Sequence, residues 1–187
     1  PLEWAPEVDL YVKDESASAS GNLKHRLARY LIETALTEGT LSPDTVLVEA
    51  SSGSTAIAEA FFARTLGLGM IAVVPSTTSP SKIATLQTAG VQVLVDEAPT
   101  MTAVARQWGD RPGHVYLDQF GRAAHASEWR SENTLAGEIL RQMTAERHPV
   151  PAWIVAGVGT GGTTASLGRH MRWIGAGAQI CAAEPEF

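Results

Sequence analysis

The sequence predicts an α/β protein in which parallel strands form the sheets and helices cover both faces. Short apolar runs alternate along the 187 residues with longer segments that repeat apolar residues at helical spacing. The short runs are apolar throughout, which is typical of strands buried on both faces of a parallel sheet. The length suits one domain or two small ones.

Each predicted strand is a short apolar run, often rich in β-branched residues, between polar or glycine-containing segments. In chain order the predicted strands are Leu10–Val12, Thr45–Glu49, Met70–Val74, Val91–Val95, His114–Asp118, Ala152–Val158 and Gln179–Ala183. Because helical segments separate most of these runs, the strands are expected to lie parallel.

The boundaries of the predicted helices come from capping residues and glycines. Ser79 is a capping residue before Pro80 at the first helical position, and Gly39, Gly67 and Gly90 each end a helix. The predicted helices are 22–38, Thr55–Leu66, Pro80–Ala89, Pro99–Trp108, Ser131–Glu146 and Gly162–Trp173. A proline-rich linker at 148–151 predicts two units with ligand chemistry in the cleft between them.

Composition excludes several classes of function. The formal net charge is −6 without a basic run, which argues against a nucleic acid partner. No apolar stretch has the length of a membrane span, and the N-terminus shows no signal-peptide pattern. Cys181 is the single cysteine, so neither an internal disulfide nor a cysteine-based zinc site is expected. The histidines have no metal-ligand spacing. A reducing, cytoplasmic location follows as an expectation.

A glycine-rich turn joins the strand at 152–158 to the helix that follows. It reads GVGTGGTT over residues 157–164. Glycines let a backbone approach a ligand closely, and free N–H groups at a helix start favour an anion. With the hydroxyls of Thr160 and Thr163, a phosphate site is the natural interpretation. Two alternatives stay open. One is a dinucleotide site with Glu184 as its acidic residue, and the other is a turn that only shapes the loop.

Lys24 lies where small polar residues lead into the first helix. The segment 13–26 reads KDESASASGNLKHR and places this lysine in the first helical turn. The helix dipole disfavours a cation there, and partial burial would lower the pKa of the amine further. A neutral lysine amine is what a Schiff base requires. A solvated surface lysine is the alternative.

A third polar turn, EASSGSTA over residues 49–56, also runs from a strand into a helix. Its four hydroxyl side chains and the free N–H groups of the helix start suit a carboxylate. An ordinary serine-rich helix cap is the alternative interpretation.

Together the three segments resemble the fold type II pyridoxal-phosphate (PLP) enzymes, in the branch of cysteine synthase and cystathionine β-synthase. Further matches are Asp118-Gln119-Phe120, Asn133-Thr134 and Glu138-Ile139. The combination of SGNLKHRLAR, EASSGSTA and LDQF with EWR looks nearest to the cysteine desulfhydrase subgroup.

The resemblance implies a fold with two three-layer lobes and a homodimer. Residues 44–147 would form the smaller, substrate-binding lobe. Residues 1–43 with 148–187 would form part of the larger, PLP-binding lobe, which is expected to be incomplete at the C-terminus because family members continue beyond this point.

The resemblance also implies the site residues. Lys24 matches the lysine that binds PLP and moves the α-proton of the substrate. The matches to the loop that holds the phosphate are Gly159, Thr160, Gly161, Gly162 and Thr163. The matches to the loop that receives the substrate carboxylate are Ser51, Ser52, Gly53 and Thr55, with Gln119 assisting. Ser54 stands where the family has an asparagine that contacts the 3-oxygen of the cofactor.

The activity implied is β-elimination on L-cysteine or a similar β-substituted alanine. It releases sulfide, pyruvate and ammonia through an aminoacrylate. Cysteine synthase-type β-replacement, from O-acetylserine and sulfide, shares every step up to that species and stays open, and the departure at Ser54 speaks against it. A non-catalytic interaction module is the alternative from a different class.

Overall fold

A computed structural model describes residues 2–97, 100–123 and 129–184. The strands are β1 Val46–Ala50, β2 Gly69–Pro75, β3 Gln92–Asp96, β4 His114–Tyr116, β5 Trp153–Gly157 and β6 Gln179–Ala183. The helices are α1 His25–Thr37, α2 Ser54–Leu66, α3 Pro80–Thr88, α4 Met101–Gly109, α5 Gln119–Arg122, α6 Leu135–Met143 and α7 Gly162–Trp173.

The strands form two parallel sheets. One has four strands in the order β3-β2-β1-β4, and the other pairs β5 with β6. In the larger sheet Val48 of β1 aligns with Ile71 of β2 on one side and with Tyr116 of β4 on the other. The carboxyl ends of β1 and β4 therefore lie side by side, which brings the turn after Ala50 close to the turn that leads into α5.

Helices cover both faces of the four-stranded sheet, as the continuous apolar strands predict. Leu47 and Ala72 point to a core that also contains Leu31 of α1 and Ala60 of α2. The alternate strand residues, such as Val48 of β1, point to a second core closed by α4. The period of two along each strand delivers neighbouring residues to opposite faces, so both faces are apolar.

A third core lies around the two-stranded sheet. Leu167 and Met171 of α7 pack with Ala136 of α6 and with apolar residues of β5 and β6. On β5, Trp153 and Val155 are 59% and 66% exposed, so apolar surface of this strand is left uncovered by the described residues.

Most element boundaries agree with the sequence to within a few residues, and the exceptions have local causes. Helix α1 begins at His25 rather than near 22, because the Asn22 side chain accepts a hydrogen bond from the Lys24 N–H in place of a helical turn. Helix α6 begins after Thr134, whose hydroxyl accepts from the N–H of Gly137 and caps the helix. The short helix α5 was not predicted.

The predicted strand Leu10–Val12 is wrong. These residues adopt no regular structure and pair with no strand of the described residues, and Val12 is 86% exposed. Pro99, the predicted start of the fourth helix, lies outside the described residues.

No helix within 2–97, 100–123 and 129–184 combines the length and hydropathy needed to cross a bilayer.

Candidate active site

A cavity of about 770 Å³ lies where α1, α6 and α7 come together. Its volume is in the range of small-molecule sites. Lys24, Thr160, Gly162 and Thr163 line it, so the cavity joins two of the three segments that the sequence singles out. The lining also includes residues near the start of α6, namely Ser131, Asn133 and Thr134.

Lys24 is the residue immediately before α1 rather than part of its first turn. Its N–H donates to the Asn22 Oδ1 over 2.8 Å, and its carbonyl accepts the first helical hydrogen bond from Ala28. These two bonds fix the backbone from which the side chain extends. Burial lowers the pKa of the Lys24 ammonium, and no carboxylate of the described residues pairs with it. The neutral amine is therefore more populated than in a solvated lysine.

The glycine-rich turn ends at the start of α7, directly beside this amine. Gly161 precedes the helix at φ +77°, a left-handed conformation that favours glycine. A Cβ on Gly159 would lie 3.7 Å from Lys24 Nζ, and a Cβ on Gly162 would lie 3.0 Å from the Ala123 carbonyl oxygen. The absence of side chains at both positions leaves the helix start close to the lysine.

The first turn of α7 presents donors to the cavity. The first helical bond runs from the Ala165 N–H to the Gly161 carbonyl, so the earlier N–H groups of this 12-residue helix are free of helical partners. Thr160 and Thr163 reach the same cavity. A ligand with an aldehyde and a phosphate, such as PLP, fits this pair of features: the amine suits the aldehyde and the helix start suits the phosphate.

The third segment forms a hydrogen-bonded unit at the carboxyl ends of β1 and β4. Thr55 donates to the Gln119 Oε1 over 2.7 Å, and the Gln119 Nε2 donates to the Ala50 carbonyl over 3.0 Å. The Gly53 N–H donates weakly to the Ser51 hydroxyl over 3.3 Å. Both Thr55 and Gln119 are buried. The structure thus brings together Gln119 and the 51–55 turn, which the sequence separates by more than sixty residues.

This turn is not part of the wall around Lys24. Ser51, Ser52, Gly53, Ser54, Thr55 and Gln119 are all absent from the lining of the 770 Å³ cavity. Gly53 precedes the 13-residue helix α2 and leaves its start without a side-chain cap. Free N–H groups at that start keep the capacity to receive an anion. The role of each of these residues in binding stays a prediction.

An ionic cluster in the wall of the same cavity joins α1 to α6. Arg26 donates to Glu15 over 2.7 and 2.9 Å and to Glu138 over 2.7 and 3.2 Å. Lys13 lies within 3.4 Å of both carboxylates. The hydrogen bonds that Arg26 donates to Glu15 raise the pKa of Arg26, and those that it donates to Glu138 lower the pKa of Glu138. Lys13, Glu15 and Arg26 lie in the segment 13–26, and Glu138 lies in a further match to the family. No pattern in the sequence indicates that these residues are in contact.

We expect Arg26→Ala to destabilise the protein by about 1–3 kcal/mol, because it leaves two partly buried carboxylates with Lys13 as their only cation in this cluster. Urea unfolding at neutral pH measures the change. The matched control is Arg29→Ala on the same helix, whose ion pair with Glu33 is exposed and should contribute less than about 0.5 kcal/mol. Equal losses in the two variants would contradict a structural role for the cluster.

Comparison with known proteins supports the same cofactor as the geometry of the cavity does. A family model described as pyridoxal-phosphate dependent enzyme matches residues 1–187. The chain is 46% identical over 189 residues to the L-cysteine desulfhydrase Cds1 of Mycobacterium tuberculosis, and the match covers 100% of this chain and 51% of that protein. It is 32% identical over 182 residues to a cysteine synthase of Staphylococcus aureus, with 95% of this chain and 57% of that protein covered.

Solved structures agree on the fold. The crystal structure of O-ureido-L-serine synthase superposes with a TM-score of 0.82 at 27% identity, covering 94% of this chain and 55% of that one. The chain spans about half the length of the curated relatives it matches. The predicted fold class, with parallel sheets between helices, is confirmed.

Proposed function

The chain belongs to the family of pyridoxal-phosphate dependent enzymes, and on that basis we propose that the protein is a lyase that eliminates the β-substituent of L-cysteine. Sulfide, pyruvate and ammonia are the products. The observation that carries the proposal is the shared cavity, in which the amine of Lys24 faces the N-terminus of α7. The 46% identity to an L-cysteine desulfhydrase supports cysteine, or a similar β-substituted alanine, as the substrate.

In this proposal Lys24 has two tasks. Its Nζ attaches the cofactor, and the same atom accepts the α-proton of the substrate once the substrate amine has taken its place. The lowered pKa of Lys24 serves both tasks, because only the neutral amine can act as a nucleophile or as a base. The bound cofactor supplies an electron sink for the charge left on the α-carbon.

The start of α7 would hold the phosphate of the cofactor. The residues concerned are Gly159, Thr160, Gly161, Gly162 and Thr163. Support comes from the free N–H groups of the first turn and from the two threonines in the cavity wall. A Cβ built on Gly159 would lie 3.7 Å from Lys24 Nζ, so the amine is beside the glycine-rich turn and one small ligand could reach both the amine and the helix start. Ser54 is proposed to contact the cofactor from the start of α2.

The turn after β1 would receive the carboxylate of the substrate. Ser51, Ser52, Gly53 and Thr55 are the proposed contacts. Both side-chain polar atoms of Gln119 are engaged by Thr55 and Ala50, so Gln119 would act by holding this turn in shape. The start of α2 adds the attraction of a helix N-terminus for a negative charge.

A β-replacement activity that makes cysteine is the second candidate. The specific support is the 32% identity to a cysteine synthase, together with the fold likeness to O-ureido-L-serine synthase. Both activities use the same lysine and the same binding turns. Ser54 favours elimination, because a serine lacks the amide donor of the asparagine found in the synthase pattern.

We also propose a cytoplasmic homodimer with two lobes. All four strands of the larger sheet fall within the proposed smaller lobe, residues 44–147, whereas β5, β6 and α7 fall in the other, residues 1–43 with 148–187. Helix α1 packs with α2, and α6 packs with α7. Each of these two contacts would join one lobe to the other.

The product assay decides between the activities. With PLP and L-cysteine, the full-length protein is expected to release pyruvate and sulfide in equal amounts, and to form little cysteine from O-acetylserine and sulfide. Chromatography of the keto acid and a sulfide electrode measure the two products. Cysteine formation that exceeds pyruvate release would favour the synthase. Neither product, and no change in the visible spectrum of PLP on mixing, would favour a non-catalytic module.

A further inference from the structure

Two carboxylic acids lie completely buried behind the turn at residues 51–55. Glu49 is at the end of β1 and Glu59 is in the second turn of α2, and each has 0% of its surface exposed. The proposed reaction uses neither of them. Buried ionised carboxylates are costly unless they are paired, so the placement of two together requires an explanation.

The two side chains differ in the donors that they meet. Glu49 accepts from the N–H of Ala50 over 2.7 Å and from the N–H of Gln119 over 3.0 Å. No N–H or hydroxyl of the described residues reaches either oxygen of Glu59, and the side chain that Glu59 meets is the carboxyl of Glu49. Two ionised carboxylates cannot form a hydrogen bond with each other, whereas a carboxylic acid can donate to a carboxylate.

The charged and titratable surroundings favour one retained proton. Burial raises the pKa of Glu49 to about 7, and burial with the charge of Glu49 raises the pKa of Glu59 well above its usual range. Asp118 adds negative charge near Glu49, and burial raises the pKa of Tyr116, so the phenol stays neutral. Arg106 is the nearby cation and lies 3.5 Å from Asp118 at the exposed side.

We propose that Glu59 is a positioning residue whose carboxyl shares one proton with that of Glu49 and thereby holds the turn that receives the substrate carboxylate. The Glu49 oxygens fix the N–H groups of Ala50 and Gln119, and Gln119 in turn holds the Ala50 carbonyl and the Thr55 hydroxyl. A donor at residue 59 therefore acts through one connected network on Thr55. The role of this turn in substrate binding rests on the proposed function.

The shared proton also sets the charge behind the turn. With the proton in place the pair carries one negative charge, and its loss adds a second charge that repels both Glu49 and an incoming carboxylate. The folded state holds the proton more tightly than the unfolded chain does. The stabilisation is thus complete below the usual pKa of a glutamate, near 4.5, and is lost as pH rises through the raised values.

The test uses the full-length holoprotein and three variants. Glu59→Gln keeps a donor at residue 59 without a titrating proton, Glu59→Ala removes the donor, and Glu97→Gln makes the same substitution at an exposed glutamate as a control. The readouts are the melting temperature at a series of pH values, the infrared band of a protonated carboxyl at neutral pH, and KM and kcat for L-cysteine.

We expect the melting temperature of the wild type and of Glu97→Gln to fall as pH rises from the usual pKa of a glutamate, near 4.5, through about 7 and above, and that of Glu59→Gln to fall less. The infrared band of the wild type should be missing from Glu59→Gln. Glu59→Ala should raise KM about tenfold, as expected for the loss of one hydrogen bond to a charged group, with a much smaller change in kcat. The KM of the wild type should rise at alkaline pH, where the second charge repels the substrate carboxylate. In Glu59→Gln, KM should stay near the wild-type value at neutral pH and should not show this rise.

A pH profile of stability in Glu59→Gln that equals that of the wild type, or a wild type without the infrared band, would overturn the shared proton. A fall in kcat at constant KM would overturn the positioning of the turn. Failure of the proposed function is distinguishable, because cysteine turnover would then be missing from the wild type while the stability and infrared readouts would still report on the carboxyl pair.

Discussion

Lys24→Ala is expected to abolish the release of pyruvate from L-cysteine, with kcat reduced by at least about 10³-fold. The variant removes the amine that attaches the cofactor and the base that takes the α-proton, and a positioned base alone contributes about 10²–10⁴-fold. Lys13 is the other lysine among the described residues of the cavity wall, and its amine is held by Glu15 and Glu138, so it is not available to attach the cofactor in place of Lys24. Pyruvate release and the visible spectrum of the PLP-treated protein measure the effect.

Lys82→Ala is the control for a lost lysine. Lys82 is exposed on α3 and does not line the cavity, so this variant should keep the spectrum and the rate of the wild type. Because the phosphate would still be held by the start of α7, Lys24→Ala should retain weak binding of PLP. A Lys24→Ala protein with the spectrum and rate of the wild type would refute the assignment of the lysine.

The second large effect is expected from Gly162→Val, which should weaken the binding of PLP by roughly 10- to 100-fold. A Cβ at residue 162 would lie 3.0 Å from the Ala123 carbonyl oxygen, and valine adds two methyl groups beyond it. Overpacking of this kind costs about 1–3 kcal/mol, which corresponds to that range of affinity if the start of α7 moves to relieve the contact. Titration of the apoprotein with PLP, followed by absorbance, gives the dissociation constant.

The matched control is Gly157→Ala. Gly157 precedes the same turn at the end of β5, and nothing lies within 4 Å of a Cβ placed there. This substitution should leave the affinity for PLP within about twofold of the wild type, since no neighbour has to move. Equal losses in both variants would show that any added side chain in the region matters, and that the close approach at Gly162 is not the cause.

The sequence by itself determined the local structure and the main chemistry of the candidate site. Apolar periodicity located the helices α2 and α7 within one residue, because the spacing of side chains along a helix or strand is a property of neighbouring residues. The glycine-rich residues 159–162 likewise indicate an anion site, and the lysine before a helix indicates a reactive amine, because both signals are local to the sequence. Local signals extend no further than a few turns.

Only the tertiary structure decided which of these features meet. Arg26 and Glu138 are 112 residues apart in sequence, and Glu49 and Gln119 are 70 apart, yet each pair is hydrogen-bonded. The predicted strand at 10–12 was wrong for a related reason: a strand forms only where a partner strand offers its backbone groups, and none of the described residues does so here. Contacts of this kind depend on how the sheets place distant segments, which no local pattern encodes.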